Sequence, residues 1–162
     1  MNNGIKFGGC DSWYSDAYLK HKYPVQNFSQ KSNNNMWKNS MFDSRQILGI
    51  NNFDDIYFIE LPKIEAIYKE CDVMITHVNP SFLEKHLSPY FQGHQSNTFF
   101  SFDGHKYLKE GNMMYWVFGH THDAMEYEFY DVKCVCNPFG YPSENHFGLS
   151  VTIKSIYIKE NK

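Results

Sequence analysis

The chain has no long apolar run and no block of basic residues, and each absence removes a class of function. No stretch approaches the roughly 20 apolar residues that a membrane-spanning helix needs. The polar start Met1-Asn2-Asn3-Gly4, followed by a short apolar run, does not make a signal peptide. The reading is a cytoplasmic chain with no membrane partner. The formal net charge is −3, so nonspecific nucleic-acid binding through a charged surface is not indicated. Cysteine is limited to Cys10, Cys71, Cys134 and Cys136, which without a secretory signal read as reduced thiols. Cys134 and Cys136 alternate along a strand and should share a face. No second pair completes a zinc site with them. No internal repeat is found.

What is present is an aromatic, foldable chain. Its 162 residues allow one domain, 1–162, with a real core, and a composition of 42% hydrophobic and 18% aromatic residues argues against disorder. Residues 5–10 read as a short strand ending in glycines. Residues 13–23 are aromatic without a clean period. Residues 24–40, rich in Asn and Ser, read as a long loop. Residues 58–71 read as a helix with Ile59, Ile64, Ile67 and Tyr68 on one face. Pro62 places its start near Leu61. A strand over 73–76 follows, then an irregular stretch over 81–101. A second helix over 104–110 precedes a strand over 115–118. The helix-then-strand order predicts α/β layering. Residues 125–130 and 132–136 read as a hairpin around Asp131, and 149–158 as a final strand.

The most informative stretch is Tyr115-Trp116-Val117-Phe118-Gly119-His120-Thr121-His122-Asp123. A buried strand stops at Gly119, and two histidines follow. Glycine permits a sharp turn or a close approach. Imidazole is the commonest metal ligand, and a strand end holds it in place. Upstream, Val73-Met74-Ile75-Thr76-His77 is a second strand ending in histidine, followed by Val78-Asn79-Pro80-Ser81. Downstream, Asn137-Pro138-Phe139-Gly140-Tyr141 is a turn-rich loop after another strand. Three strands ending in polar loops predict one shared site at one edge of a sheet.

In order and character, Thr-His-x-x-Pro-Ser, Trp-x-x-Gly-His-Thr-His and Asn-Pro-x-Gly-Tyr resemble the C-terminal half of a calcineurin-like metallophosphoesterase. The likeness covers about residues 71–144. Met41-Phe42-Asp43-Ser44-Arg45 also resembles a segment of some bacterial and phage members. The resemblance implies the C-terminal portion of a four-layer α/β/β/α sandwich. It implies that His77 and His120 ligate one metal of a two-metal site and His122 the other. It also sets Asn137 and Tyr141 beside the substrate. The metals would be divalent Mn, Fe or Zn, two in the family, with one expected for this chain alone. They would neutralise phosphate, lower the pKa of a bridging water and align it for in-line attack. The family also carries Asp-x-His, Gly-Asp and Gly-Asn-His motifs before the matched part, which this chain lacks there. The expectation is therefore a metal-dependent phosphoesterase incomplete as this chain alone. Completion would come by self-association or from a separate N-terminal fragment.

The alternative is a noncatalytic remnant or interaction module that retains the fold. Three imidazoles bind one metal but provide no bridging carboxylate for two. Asp103-Gly104-His105 imitates Asp-x-His, but Asp103 reads more simply as the N-cap of the following helix. His21, His86, His94 and Asn145-His146 read as structural or solvated. Asp123 is a candidate partner for a ligand imidazole.

Overall fold

Among the described residues, five short strands form one sheet in the order β1-β2-β3-β5-β4. They are β1 (Phe7–Gly9), β2 (Val73–Thr76), β3 (Tyr115–Phe118), β4 (Met125–Phe129) and β5 (Val132–Cys136). The first four in spatial order run parallel, and β4 closes the edge antiparallel to β5. The protein is thus an α/β protein with a mixed, mostly parallel sheet flanked by helices. The computed structural model describes residues 4–141, 144 and 154–158.

Register decides which side chains meet. Met74, Trp116 and Cys134 lie side by side, as do Thr76, Phe118 and Cys136. All six are buried. The Trp116 indole N–H donates to Thr76 Oγ1 at 2.8 Å, so the one large polar group on this face is satisfied. The two cysteines do share a face, in the core, and burial pushes both thiols up to about 12. All four cysteines are unpaired.

Helices cover that face. They are α1 (Ala17–Lys22), α2 (Gln30–Ser40), α3 (Asp43–Gln46), α4 (Asp55–Ile67) and α5 (His105–Glu110). Trp37 of α2, Ile64 of α4, and Tyr107 and Leu108 of α5 join Met74, Trp116 and Phe118 in one cluster. Gly8 lets α4 approach β1 closely. A Cβ there would lie 2.9 Å from Ile67 Cδ1 and 3.1 Å from Cys71 Cβ.

The opposite face is less covered. Phe7 on β1 is 66% exposed and Ile75 on the inner strand β2 is 46% exposed. Among the described residues, the segment 154–158 lies against this face. The Tyr115 hydroxyl donates to the Tyr157 carbonyl, and Lys154 pairs with Glu126.

Several expectations need correction. Residues 30–40 are a helix, not loop: Ser29 caps it by accepting from the Ser32 N–H, and Asn33 and Trp37, one turn apart, face inward. α4 starts at Asp55, with Pro62 in its interior. Proline withholds the hydrogen bond that Phe58 O would accept, but Phe58 is exposed and water can serve it. Ile59 is 63% exposed and does not belong to the packed face. Gly104, not Asp103, is the N-cap of α5, although Asp103 Oδ1 accepts from the His105 N–H at 3.2 Å. Residues 81–101 contain three short 3-10 turns, Glu84–His86, Pro89–Phe91 and Gln95–Phe99. The hairpin around Asp131 is observed, with Phe129 paired to Val132. Of the expected final strand, 154–158 form no strand and 149–153 lie outside the described residues.

Candidate metal centre

Parallel strands deliver their C-terminal ends to one edge, and ligand sites of α/β sheets gather there. His77 follows β2 and His120 follows β3 by two residues. Their rings lie 4.6 Å apart, centroid to centroid. The loops are tied together by backbone: the Gly119 N–H donates to His77 O at 3.0 Å, and the His77 N–H donates to Asp11 O at 3.1 Å. Asp11 thereby brings the end of β1 to the same edge.

The turn itself sits one residue later than the glycine predicts. Gly119 has an ordinary φ, and a Cβ there would meet only His77 O at 3.7 Å. His120 takes the left-handed backbone, at φ 65°. The Thr121 N–H donates to Gly119 O at 2.8 Å, closing a tight three-residue turn with His120 at its centre. A non-glycine residue in this region costs about 1 kcal/mol or more. Beside it, Ser12 (φ 53°) and Trp13 (φ 133°) are also left-handed, and Trp13 stacks on His77 at 5.7 Å. The Trp13 indole is fixed by donation to Phe53 O at 2.8 Å. Strained backbone thus surrounds both imidazoles.

The ring of His120 is enclosed by Tyr14 and Phe100. Its Nε2 is buried with no hydrogen-bond partner among the described residues. Burial is the main reason its pKa drops to about 3, with His77 a further cause, while the Phe99 backbone carbonyl acts the other way. The unpartnered Nε2 is the atom this ring offers to a ligand. His77 is likewise lowered by burial, against the pull of Asp43 and Asp11. Both rings are therefore neutral near pH 7 and their lone pairs are available.

His122 is turned elsewhere. Its Nδ1 lies 2.7 Å from Glu144 Oε2, and its ring meets Tyr141 edge-on at 4.5 Å. Among the described residues, no three His, Cys, Asp or Glu side chains stand assembled as a metal-holding group. What is assembled is the His77–His120 pair. Asp123 does not orient either imidazole but accepts from the Ser88 hydroxyl.

A cavity of about 610 Å³ opens beside the pair, walled by His120, His122, Asp43, Asp123, Glu144 and aromatic residues that include Tyr141. Among the described residues that line it there is no Lys or Arg. Tyr90 and Phe91, from the irregular stretch 81–101, line the cavity and are exposed, while Phe99 is wholly buried. Asn137 follows β5 at the same edge but is outside the lining.

The other histidines behave as expected of structural ones. His86 Nδ1 lies 2.8 Å and His105 Nε2 3.2 Å from Ser81 Oγ. His94 Nδ1 accepts from the Ser96 N–H, and His21 packs on Phe82. Asn145 and His146 lie outside the described residues. Asp11, Trp13 and Asp43, which sequence reading missed as site residues, come from the segment after β1 and from α3, far from the histidines in sequence. No helix among the described residues is long and apolar enough to cross a membrane. Comparison with protein-family models, curated proteins and solved structures found no match to this chain.

Proposed function

We propose that this chain belongs to a metal-dependent phosphoesterase that hydrolyses a phosphate mono- or diester, and that its fold is the C-terminal portion of a four-layer metallophosphoesterase sandwich. The observation that carries the reading is the His77–His120 pair, with rings 4.6 Å apart at adjacent strand ends and a buried, unpartnered His120 Nε2. A buried nitrogen without a partner is costly unless something binds it. When bound, a divalent Mn, Fe or Zn ion would supply Lewis acidity and a water of lowered pKa.

The residues of the chain fit the remaining tasks. His77 and His120 hold the ion through neutral imidazoles, and the left-handed turn at His120 fixes the ring's direction. His122 joins them by leaving Glu144, or remains a polar contact for substrate. Tyr141, on the cavity wall, orients the ester, with Asn137 close to the same edge. The absence of Lys and Arg from the lining matters here. A phosphate entering a cavity with Asp43, Asp123 and Glu144 meets repulsion unless a cation is already present.

The partly exposed face of the sheet favours a covering partner, either a second copy or a separate N-terminal fragment. Inner strands of parallel sheets are ordinarily covered on both faces, yet Ile75 is exposed. Calorimetric titration with Mn²⁺ and Zn²⁺, followed by an aryl phosphate assay, tests the reading. Binding that depends on His77 and His120, with turnover appearing once a partner is supplied, supports it. No metal binding by the wild-type chain overturns it.

A further inference from the structure

We infer that Asp43 is the carboxylate ligand that joins His77 and His120 in holding the divalent cation. The inference rests on the metal reading of this site and deepens it.

Besides that of Asn33, two side-chain polar atoms among the described residues are buried without a hydrogen-bond partner: His120 Nε2 and Asp43 Oδ2. Both belong to residues that wall the same cavity. A buried orphan oxygen on an ionisable carboxyl is more costly than a neutral one, because the charged form loses hydration. Asp43 is accordingly raised above the ordinary carboxylate range, chiefly by burial, and what opposes this is His77 together with the Tyr14 hydroxyl. Asp43 and His77 thus influence each other electrostatically, and the His77 ring lies tilted against His120, with centroids 4.6 Å apart. A cation placed among them would satisfy both orphan atoms at once.

The carboxylate is also positioned rather than loose. Tyr14 reaches it through its hydroxyl, and that hydroxyl itself accepts from the Trp37 indole N–H. Trp37 and Tyr14 are fully buried. Hydrogen-bonded support of this kind is what orients a ligating carboxylate. Two imidazoles and one carboxylate form a donor set that binds Zn²⁺, Mn²⁺ or Fe²⁺ and leaves positions open for water or a phosphate oxygen. The set needs the Asp43 side chain to close on the pair, since the three do not stand assembled as a metal group.

The test is calorimetric titration of Zn²⁺ and Mn²⁺ into wild type, Asp43→Asn, Asp43→Ser and His120→Asn, with melting of each metal-free protein recorded. Loss of a ligand is expected to weaken binding by about tenfold or more in Asp43→Asn, and the metal-induced rise in melting temperature should shrink with it. Asp43→Ser is the second variant, and it carries the comparison if Asn at this position impairs folding. A folded Asp43 variant that binds both metals as wild type does, while His120→Asn binds neither, overturns the Asp43 assignment and leaves the metal reading standing. Absence of binding in the wild type overturns both.

Discussion

Wholly or partly buried histidines occur in two places in this protein, and the places differ in how their ring nitrogens are served. In one, Ser81 Oγ lies 2.8 Å from His86 Nδ1 and 3.2 Å from His105 Nε2. His86 also stacks flat on Tyr127, with ring centroids 4.0 Å apart and planes 5° apart. In the other, His120 Nε2 has no partner among the described residues, and the backbone beneath it is left-handed. The first cluster even imitates a catalytic triad, since His105 Nδ1 lies 4.0 Å from Asp103 Oδ1. Yet Ser81 is 0% exposed and does not line the cavity. A nucleophile sealed from substrate cannot act. Satisfaction and burial favour a structural role for the Ser81 cluster, whereas an unsatisfied nitrogen held in strained backbone supports the proposal of a ligand at the His77–His120 edge.

The largest effect is expected where the comparison is most direct. His120→Asn should weaken Zn²⁺ binding by at least about a hundredfold, roughly 2.7 kcal/mol. Asparagine tolerates the left-handed backbone, so the metal-free stability should change by less than about 1 kcal/mol. Calorimetry and denaturant unfolding measure the two quantities. Wild-type affinity in this variant would break the distinction. His86→Ala should do the reverse. It removes a buried hydrogen bond and an aromatic stack, costing about 2 kcal/mol of stability, and leaves metal affinity unchanged.

Acid should act on both clusters. Burial holds His86 at about 4 and His120 at about 3, below the unfolded value near 6.5. Between those limits the unfolded chain binds more protons than the folded one. Stability is therefore full above pH about 6.5 and falls as pH drops toward 4, by about 1.4 kcal/mol per pH unit for each group. Denaturant unfolding across this window should show a slope that decreases by about one such share in His120→Asn. An unchanged slope would mean that His120 does not contribute. The same depression keeps a proton from competing with metal at the His120 imidazole until well below pH 6. The smallest effect is expected from Ser81→Ala: about 1 kcal/mol of stability from the hydroxyl contacts, and no change in any phosphoesterase rate.

The strands were legible because their signals are local. Val73–Thr76, Tyr115–Phe118 and Val132–Cys136 are short apolar runs bounded by polar residues, and the hairpin at Asp131 follows from adjacent strands. Helix α2 was not legible. Its sequence is Asn-rich and polar, and what holds it is the burial of Trp37 and Asn33 against distant parts of the chain. Pro62 misled for a related reason: tertiary packing of Ile64 and Tyr68 outweighs one missing backbone bond that solvent can replace. The glycine of Gly-His-Thr-His drew attention to the right loop, although the left-handed residue is His120 itself.

The sequence by itself determined the α/β order of elements and placed histidines at the ends of β2 and β3, because strand runs and their terminators are nearest-neighbour features. Only the tertiary structure decided which histidines pair, that His122 turns to Glu144 and that His86 is satisfied by Ser81. It alone brought Asp43 and Asp11 to the edge where His77 and His120 stand. Except for Ser81 and His86, five positions apart, those are contacts between residues more than twenty positions apart. They depend on sheet register and helix placement, for which a linear pattern carries no signal.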